Sequence, residues 1–316
     1  MPNKVLITDK VHQVLINGLS QAGWDVHYDT AADNDFLDEH LSEYDGIIIN
    51  SKIIMDRHRI DTGRQLRFIG RLGSGLEIID VAHAESKNIA VYNSPEGNSN
   101  AVAEHEMGMI LALLNNLIPA DREVRAYEWE REKNRGRELR GMTVGIIGLG
   151  HTGTAFAEKL AAWGVEVISY DKYKTSYPDS LSFVHKTDLE TIIREADLIS
   201  LHLPLTSETR HMVNETFISK CKNGVIFSNT SRGAVVDTMA LIKALNNGKV
   251  SGVCMDVFEN ERPETFSAAE KEMYSTLYEM DNVVLSPHVA GWTAESLYKI
   301  ADVLLRKINS GDHLHH

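Results

Sequence analysis

The 316-residue chain is short of several things, and each shortage removes a class of protein. Its two cysteines, Cys221 and Cys254, are too few for a disulfide framework or a cysteine-based zinc site. Positive charge is scarce: 32 Lys and Arg against 45 Asp and Glu give a formal net charge of −13, which disfavours nucleic acid or an anionic membrane surface as a partner. No apolar run reaches the ~20 residues that span a bilayer. The opening MPNKVLITDK enters an apolar run without the regions of a signal peptide. The expectation is a soluble cytoplasmic protein with no nucleic-acid, membrane or metal partner. What is present is ordinary globular composition, 43% hydrophobic and 24% charged. The length is about twice the ~150 residues of one domain, so two domains are expected.

Short apolar runs alternate with helical patterns at intervals of roughly 20 to 25 residues. The first series is KVLIT (4–8), WDVHY (24–28), DGIIIN (45–50), LRFIGRLG (66–73) and IAVYN (89–93), separated by amphipathic stretches such as 11–22 and 79–87. The alternation restarts at residue 142 with MTVGIIG, VEVISYD, LISLHLP, GVIFSNT, SGVCMDV and NVVLSPH. Apolar runs without in/out alternation, joined by helix-length connections, read as parallel sheets covered on both faces. Between the series, Asn98 or Ser99 caps a helix carrying Val102, Met107, Ile110, Leu111 and Leu114, and Pro119 is expected to end or bend it. A charge-rich segment, 121–141, follows. A last helix runs from Ala294 to Ile308.

GLGHTG places Gly148, Gly150 and Gly153 in the G-x-G-x-x-G spacing. The spacing alone is common by chance, but here the strand pattern TVGII precedes it and an alanine-rich helix pattern follows. The first glycine permits the turn, the second lets backbone approach a pyrophosphate, and the third lets helix pack on strand. The helix N-terminus then offers N–H groups to the phosphates. The next strand ends at Asp171, placed to accept ribose hydroxyls and to repel a 2′-phosphate, which favours NAD over NADP. The first βα turn, TDKVHQ (8–13), has no glycine, so the cofactor belongs to the second domain.

Three polar residues fall after successive strands of that domain, at the carboxyl ends where open α/β sheets bind ligands: Arg232, Glu261 and His288. An imidazole moves protons near neutral pH, and a carboxylate orients it and favours its charged form. A guanidinium grips a substrate carboxylate with two prongs and polarises an adjacent carbonyl. Together, beside a nicotinamide, they are what hydride transfer at a 2-hydroxy acid needs. Taken singly, His288 reads as a hydrogen-bonded structural histidine, Glu261 as a solvated residue of an acidic loop, and Arg232 as a partner of Asp237. His12, His58 and His185 have no ligand-like partners, and His313, His315 and His316 form a tail.

The chain closely resembles the D-isomer-specific 2-hydroxyacid dehydrogenases, in particular the phosphoglycerate-dehydrogenase branch. The resemblance runs through RLGSGLEIID (71–80), NSPEGNSNAVAEHEMG (93–108), GRELRGMTVGIIGLGHTG (136–153), SLHLPLTSETRHMVN (200–214), NTSRGAVVD (229–237), DVFENE (256–261) and SPHVAGWT (286–293). It implies an α/β protein of two doubly wound parallel-sheet domains, Rossmann-like and flavodoxin-like, with a cleft between them. The substrate-binding domain would comprise 1–98 plus 290–316, and the NAD-binding domain 99–289. The helix and arm over 99–140 would join two copies in a homodimer. The resemblance also implies roles. Arg232 binds the substrate carboxylate, Glu261 raises the pKa of His288, and His288 is the general acid/base. Asp256 sits near the nicotinamide amide, while Ser74 and Gly75 hold the substrate carboxylate through their backbone. Further cofactor contacts fall at His151, Thr152, Pro204, Thr209 and Thr230.

The expected activity is NAD-dependent hydride transfer at C2 of a small 2-hydroxy or 2-oxo acid. D-3-phosphoglycerate and D-glycerate/hydroxypyruvate lead as substrates, with glyoxylate as the alternative. A phosphorylated acid needs cations, and Lys52, Arg57, Arg59 and Arg71 are available. Phosphoglycerate dehydrogenases commonly carry a second arginine where this chain has Asn50, with Lys52 close by as a substitute point charge. Many also carry a regulatory domain after the catalytic core, and feedback by serine through one is not expected here. Formate dehydrogenases share the fold but usually have glutamine at the Glu261 position. The C-terminal-binding-protein corepressors use the same fold as NAD-responsive assembly proteins and keep the triad.

Overall fold

The computed structural model of the protein describes residues 3–312, and the tail histidines His313, His315 and His316 lie outside the described residues. Five short strands follow the first apolar series: β1 (Lys4–Ile7), β2 (Asp25–Tyr28), β3 (Gly46–Ile49), β4 (Phe68–Arg71) and β5 (Ala90–Asn93). Helices α1 (Gln13–Gln21), α2 (Asn34–His40), α3 (Arg57–Thr62) and α4 (Val81–Ser86) connect them. All strands are parallel, in the order β2-β1-β3-β4-β5. Such a sheet must be apolar on both faces; all four residues of β3 are buried. Leu6, Ile47, Ile49 and Ile69 pack on one face, and Val5, Ile7, Ile48 and Phe68 on the other.

The chain divides into two units. One runs to Ser99 and resumes at Trp292; the other spans Asn100–Gly291. Helix α12 (Ala294–Ser310) thus belongs with the five-stranded sheet. Its Ala301 and Leu304 are fully buried in the Phe68 cluster, and Lys307 Nζ donates to Asn93 O at 3.1 Å.

The second unit opens within α5 (Ser99–Leu114), continues through α6 (Leu117–Arg125), and then builds a seven-stranded parallel sheet. Its strands are β6 (Thr143–Ile147), β7 (Glu166–Tyr170), β8 (Val184–Lys186), β9 (Leu198–Leu201), β10 (Val225–Asn229), β11 (Val250–Met255) and β12 (Val283–Leu285). The helices are α7 (His151–Leu160), α8 (Leu189–Glu195), α9 (Glu215–Lys220), α10 (Thr238–Asn246) and α11 (Ala268–Tyr278). The order β12-β11-β10-β9-β6-β7-β8 turns back between β6 and β9, which makes a topological switch point at the carboxyl end of β6. Phe156 and Tyr274, both essentially inaccessible, anchor the two faces. Each contributes about 1.5–3 kcal/mol by leaving water.

Two expectations change. Pro119 does not end or bend the first helix. Helix α5 stops at Leu114, and Asn116 turns the chain with φ of +51° before α6 begins at Leu117. Asn tolerates that left-handed conformation. Pro119 lies in the first turn of α6, where its missing N–H breaks no helical bond. Asn98 does not precede α5 as an extended cap: it sits in the α region at the end of a short 3-10 turn, while Ser99 is the first helical residue and donates its hydroxyl to Glu96 O.

Candidate active site

Strand β6 ends at Ile147 and α7 starts at His151, so Gly148, Leu149 and Gly150 form the turn between them. Gly148 has φ of +90°, and a Cβ on it would lie 2.3 Å from His202 O. A Cβ on Gly153 would lie 2.1 Å from Gly148 O. Neither place admits a side chain, and this is what lets helix and strand close up. Gly150 is different: no protein atom comes within 4 Å of where its Cβ would stand. That open place borders the first turn of α7, whose N–H groups have no acceptor within the helix. Helices α1 to α4 and α8 to α12 each take a side-chain acceptor at the N-terminus. Helix α7 starts from Gly150 with no side-chain cap, as α6 does from Asn116, but α7 alone of the two follows a strand of the sheet directly. An uncapped helix of positive N-terminal dipole, beside a cradle that a Cβ would fill, fits a pyrophosphate.

Asp171 follows β7 and braces this turn. Its Oδ2 accepts from Leu149 N at 2.7 Å, and its Oδ1 accepts from Tyr173 N and Lys174 N at 2.9 Å each. Burial pushes the carboxyl up, but the three backbone donors outweigh it and hold Asp171 below the ordinary carboxylate range. Pro204 and Thr209 belong to the loop after β9. Thr209 Oγ1 donates to Pro204 O at 2.7 Å and accepts from Thr206 N at 2.8 Å, so the threonine folds this loop back on itself.

Arg232, Glu261 and His288 come after β10, β11 and β12, which are neighbours in the sheet. His288 Nδ1 lies 2.8 Å from Glu261 Oε2. The other carboxylate oxygen of Glu261 accepts from Phe258 N at 3.2 Å. Gly233 brings Arg232 to this loop: a Cβ on it would stand 1.9 Å from the carbonyl carbon of Phe258, so only glycine permits the approach. The hydrogen bond to Glu261 is the leading cause that raises the His288 pKa; burial opposes it, and the charges of Glu261 and Asp256 reinforce it against Arg232. For Glu261, burial raises the pKa, but the bond and charge of His288, Phe258 N–H and Arg232 bring it below its usual value. The lone readings of His288 and Glu261 thus give way to a coupled pair. Asp237 caps α10 by accepting from Ala240 N at 3.0 Å.

His288 has φ of +56°, a left-handed conformation that L side chains seldom adopt. Asp256 holds it there. His288 N donates to Asp256 O at 2.7 Å, while the Asp256 carboxylate accepts from Ser286 Oγ at 2.5 Å and from Val289 N and Ala290 N at 2.9 Å each. Asp256 is 1% exposed, and through these bonds its carboxylate shapes the histidine loop. His105 Nε2 lies 2.8 Å from Ser286 Oγ and extends the network to α5. Sequence reasoning named neither Ser286 nor His105. Their partners lie 181 positions apart, and the one local hint was a serine two places before His288.

In the first unit, Arg71 Nε donates to Gly75 O at 3.1 Å, and Arg71 Nη1 donates to Asn50 Oδ1 at 3.0 Å and to Leu72 O. Asn93 Nδ2 donates to Ser74 O at 3.0 Å. Arg71 therefore ties Asn50 to the loop at Gly75, and Asn93 holds the same loop at Ser74. Lys52 turns elsewhere, donating from Nζ to Thr30 O at 2.8 Å.

Parallel sheets with helices on both faces, and a glycine turn at the switch point of the larger one, define a dinucleotide-binding α/β protein. Residues 107–290 match the profile of the D-isomer specific 2-hydroxyacid dehydrogenase, NAD binding domain. The chain is 37% identical over 276 residues to the hydroxypyruvate reductase of Thermotoga maritima, covering 87% of both chains. It is 33% identical over 305 residues to the D-3-phosphoglycerate dehydrogenase of Archaeoglobus fulgidus, covering 96% of this chain and 56% of that protein. It thus spans little more than half the length of that relative. Among solved structures, the D-lactate dehydrogenase of Aquifex aeolicus, complexed with NAD and lactic acid, is similar with a TM-score of 0.84 and 29% identity, covering 98% of this chain and 95% of that one. The chain belongs to the D-isomer specific 2-hydroxyacid dehydrogenase family, and residues 107–290 are its NAD-binding domain.

Proposed function

We propose that the protein is an NAD-dependent D-2-hydroxyacid dehydrogenase, and the observation that carries this reading is the 2.8 Å His288–Glu261 pair on the sheet end that also bears Arg232. NAD would be held by Gly148, Gly150, His151, Thr152 and Gly153 at its pyrophosphate and by Asp171 at a ribose. Pro204, Thr209, Thr230 and Asp256 complete the cofactor contacts. When bound, the nicotinamide supplies hydride in reduction and accepts it in oxidation. Glu261 engages Nδ1 of His288, so Nε2 is the nitrogen that faces the substrate. In reduction Nε2–H of the imidazolium gives its proton to the 2-oxo oxygen; in oxidation the neutral ring takes the hydroxyl proton. Arg232 grips the carboxylate and polarises the adjacent carbonyl.

Residues 1–98 with 290–316 form the substrate-binding domain in this reading, and 99–289 the cofactor domain. The Ser74–Gly75 backbone binds the substrate carboxylate. Its carbonyls are occupied by Asn93 and Arg71, which leaves the N–H side of the loop for an anion. The substrate is the unphosphorylated pair D-glycerate/hydroxypyruvate. Arg71 is engaged by Asn50 and two backbone carbonyls of its own loop, and Lys52 by Thr30, which counts against a phosphate grip at these residues. The enzyme works in the cytoplasm as a homodimer. Support for the dimer comes from α6 and its arm, where Leu117, Ile118, Val124, Tyr127 and Trp129 are exposed, Tyr127 by 98%.

Loss of NADH absorbance with hydroxypyruvate, 3-phosphohydroxypyruvate and glyoxylate tests the reading. Hydroxypyruvate is expected to be preferred. Preference for the phosphorylated acid would overturn the substrate assignment and return Arg71 and Lys52 to phosphate binding. Preference for glyoxylate would make the enzyme a glyoxylate reductase. Silence on all three with NADH bound would favour a different acid or a binding role.

A further inference from the structure

Glu106 lies on α5 with its side chain wholly buried, and no step above uses it. A hydroxyl meets each of its carboxylate oxygens: Ser200 Oγ donates to Oε1 at 2.5 Å, and Thr230 Oγ1 donates to Oε2 at 3.3 Å. Behind Ser200, at 2.7 Å from its Oγ, stands His202 Nε2. The His202 side chain is 2% exposed with Nε2 3.6 Å from Glu106 Oε2, and burial lowers its pKa against the opposing charge of Glu106, which favours the neutral ring. Its Nδ1 is buried without a hydrogen-bond partner.

With Glu106 as a carboxylate, these distances set the direction of each proton. A carboxylate only accepts, so Ser200 and Thr230 both turn their hydroxyl protons towards Glu106. The Ser200 oxygen then accepts from His202 Nε2–H, which leaves the unpartnered Nδ1 as a bare lone pair. That is the less costly arrangement, because a buried N–H without an acceptor is rarer than an under-used acceptor. Ser200 and His202 thus satisfy one side of the buried carboxyl group. Thr230, partly exposed at the end of β10, is the side that reaches the surface of the sheet end.

We propose that Glu106 is a positioning residue of the cofactor site, which draws the Thr230 proton inward so that Thr230 meets the dinucleotide as a hydrogen-bond acceptor only. The group it receives is a donor, of the class of a carboxamide N–H or a ribose hydroxyl. The proposal rests on the reading of Thr230 as a cofactor contact and deepens it.

The test is NADH affinity, measured by nicotinamide fluorescence without any oxo acid, for Glu106→Gln, Thr230→Val, Thr230→Ser and the double variant Glu106→Gln/Thr230→Val. A carboxamide at 106 keeps its oxygen on Ser200, whose Oγ already accepts from His202, and turns its NH2 on Thr230, reversing that hydroxyl. Glu106→Gln and Thr230→Val should each weaken NADH binding about three- to tenfold, the scale of one hydrogen bond. The double variant should match Thr230→Val within about twofold, because Glu106 acts through that hydroxyl. Thr230→Ser should bind like the unaltered protein. Glu106→Met replaces the buried carboxyl group with apolar bulk of similar length and serves if the Gln variant does not fold. An effect at Glu106 that persists undiminished beside Thr230→Val is that of a residue merely supporting the core, and it overturns the proposal. So does an unchanged affinity in both Glu106 variants while Thr230→Val binds weakly, with the Thr230 reading left standing. Unchanged affinity in Thr230→Val defeats that reading and the proposal together, and an unaltered protein that does not bind NADH defeats the cofactor reading itself.

Discussion

The turn after β1 and the turn after β6 stand at the same point of two parallel sheets, yet they treat their helices in opposite ways. In the first, His12 puts its Nδ1 3.2 Å from Val14 N and its carbonyl oxygen 3.1 Å from Leu15 N, so α1 closes its own N-terminus. In the second, Gly150 brings no side chain to α7, and the place where one would stand is open. The carboxylate that comes nearest, Asp171, bonds Leu149 N in the turn and the backbone beyond β7. A βα turn becomes an anion site by withholding a cap, and the sheet alone does not confer it. The same contrast holds at the strand ends. Arg71 in the first unit is drawn into its own loop, whereas His288 is held by Asp256 in a left-handed conformation with its ring on Glu261.

The largest way to break this comparison is at His288. His288→Ala should lower kcat about 10²- to 10⁴-fold with NADH affinity within about twofold of the unaltered protein; stopped-flow turnover and fluorescence titration of the same samples check it. Turnover at the original rate would return His288 to a structural role. Next comes pH. Reduction needs the protonated ring, so its rate should hold below the raised pKa of His288 and fall as pH rises through it, while oxidation does the reverse. Glu261→Gln removes the leading cause of the rise and should move both inflections down. The pairing also contributes stability: it is intact above the ordinary carboxylate pKa and below the ordinary histidine one. It is lost as pH rises through the raised pKa of His288 or falls through the lowered one of Glu261.

A smaller effect is expected at Asp171. Asp171→Ser should narrow the preference for NADH over NADPH about tenfold, read as the ratio of their dissociation constants. An unchanged ratio would leave Asp171 only as a brace for the backbone of Leu149, Tyr173 and Lys174. The smallest effect belongs to the self-capped turn. His12→Ala should cost about 1 kcal/mol of stability or less, seen as a small drop in Tm, with NADH binding untouched. A loss of NADH affinity there would erase the distinction between the two turns.

The strands were legible because buried parallel strands are continuous apolar runs. β3, with all its residues buried, coincides with DGIIIN. β8 was not named, for VHK is a three-residue edge strand with one buried side chain and no run to read. Pro119 misled because a proline is read as a stop, although a helix accepts one in its first turn; the break came from Asn116, whose positive φ has no spacing signature. At the candidate site, the residues that follow strands could be read from position alone. What holds them could not. Ser286 meets His105 across 181 positions, and Glu106 meets Thr230 across 124, and such pairings have no local pattern. Asp256 could be named as a cofactor neighbour, but the sequence carried no sign that its carboxylate shapes the histidine loop.

One substitution turns the second turn into a version of the first. Gly150 has φ of −70° and ψ of −156°, an extended conformation that aspartate adopts at helix starts, and its Cβ would meet no protein atom within 4 Å. Gly150→Asp should therefore fold normally, cap α7 and place a negative charge on the pyrophosphate site. Fluorescence titration of NADH into both proteins, with circular dichroism to confirm the fold, decides the matter. The account predicts binding to the unaltered protein and a loss of at least about a hundredfold in the variant, the scale of 2.7 kcal/mol. Equal affinity in the two proteins would contradict it.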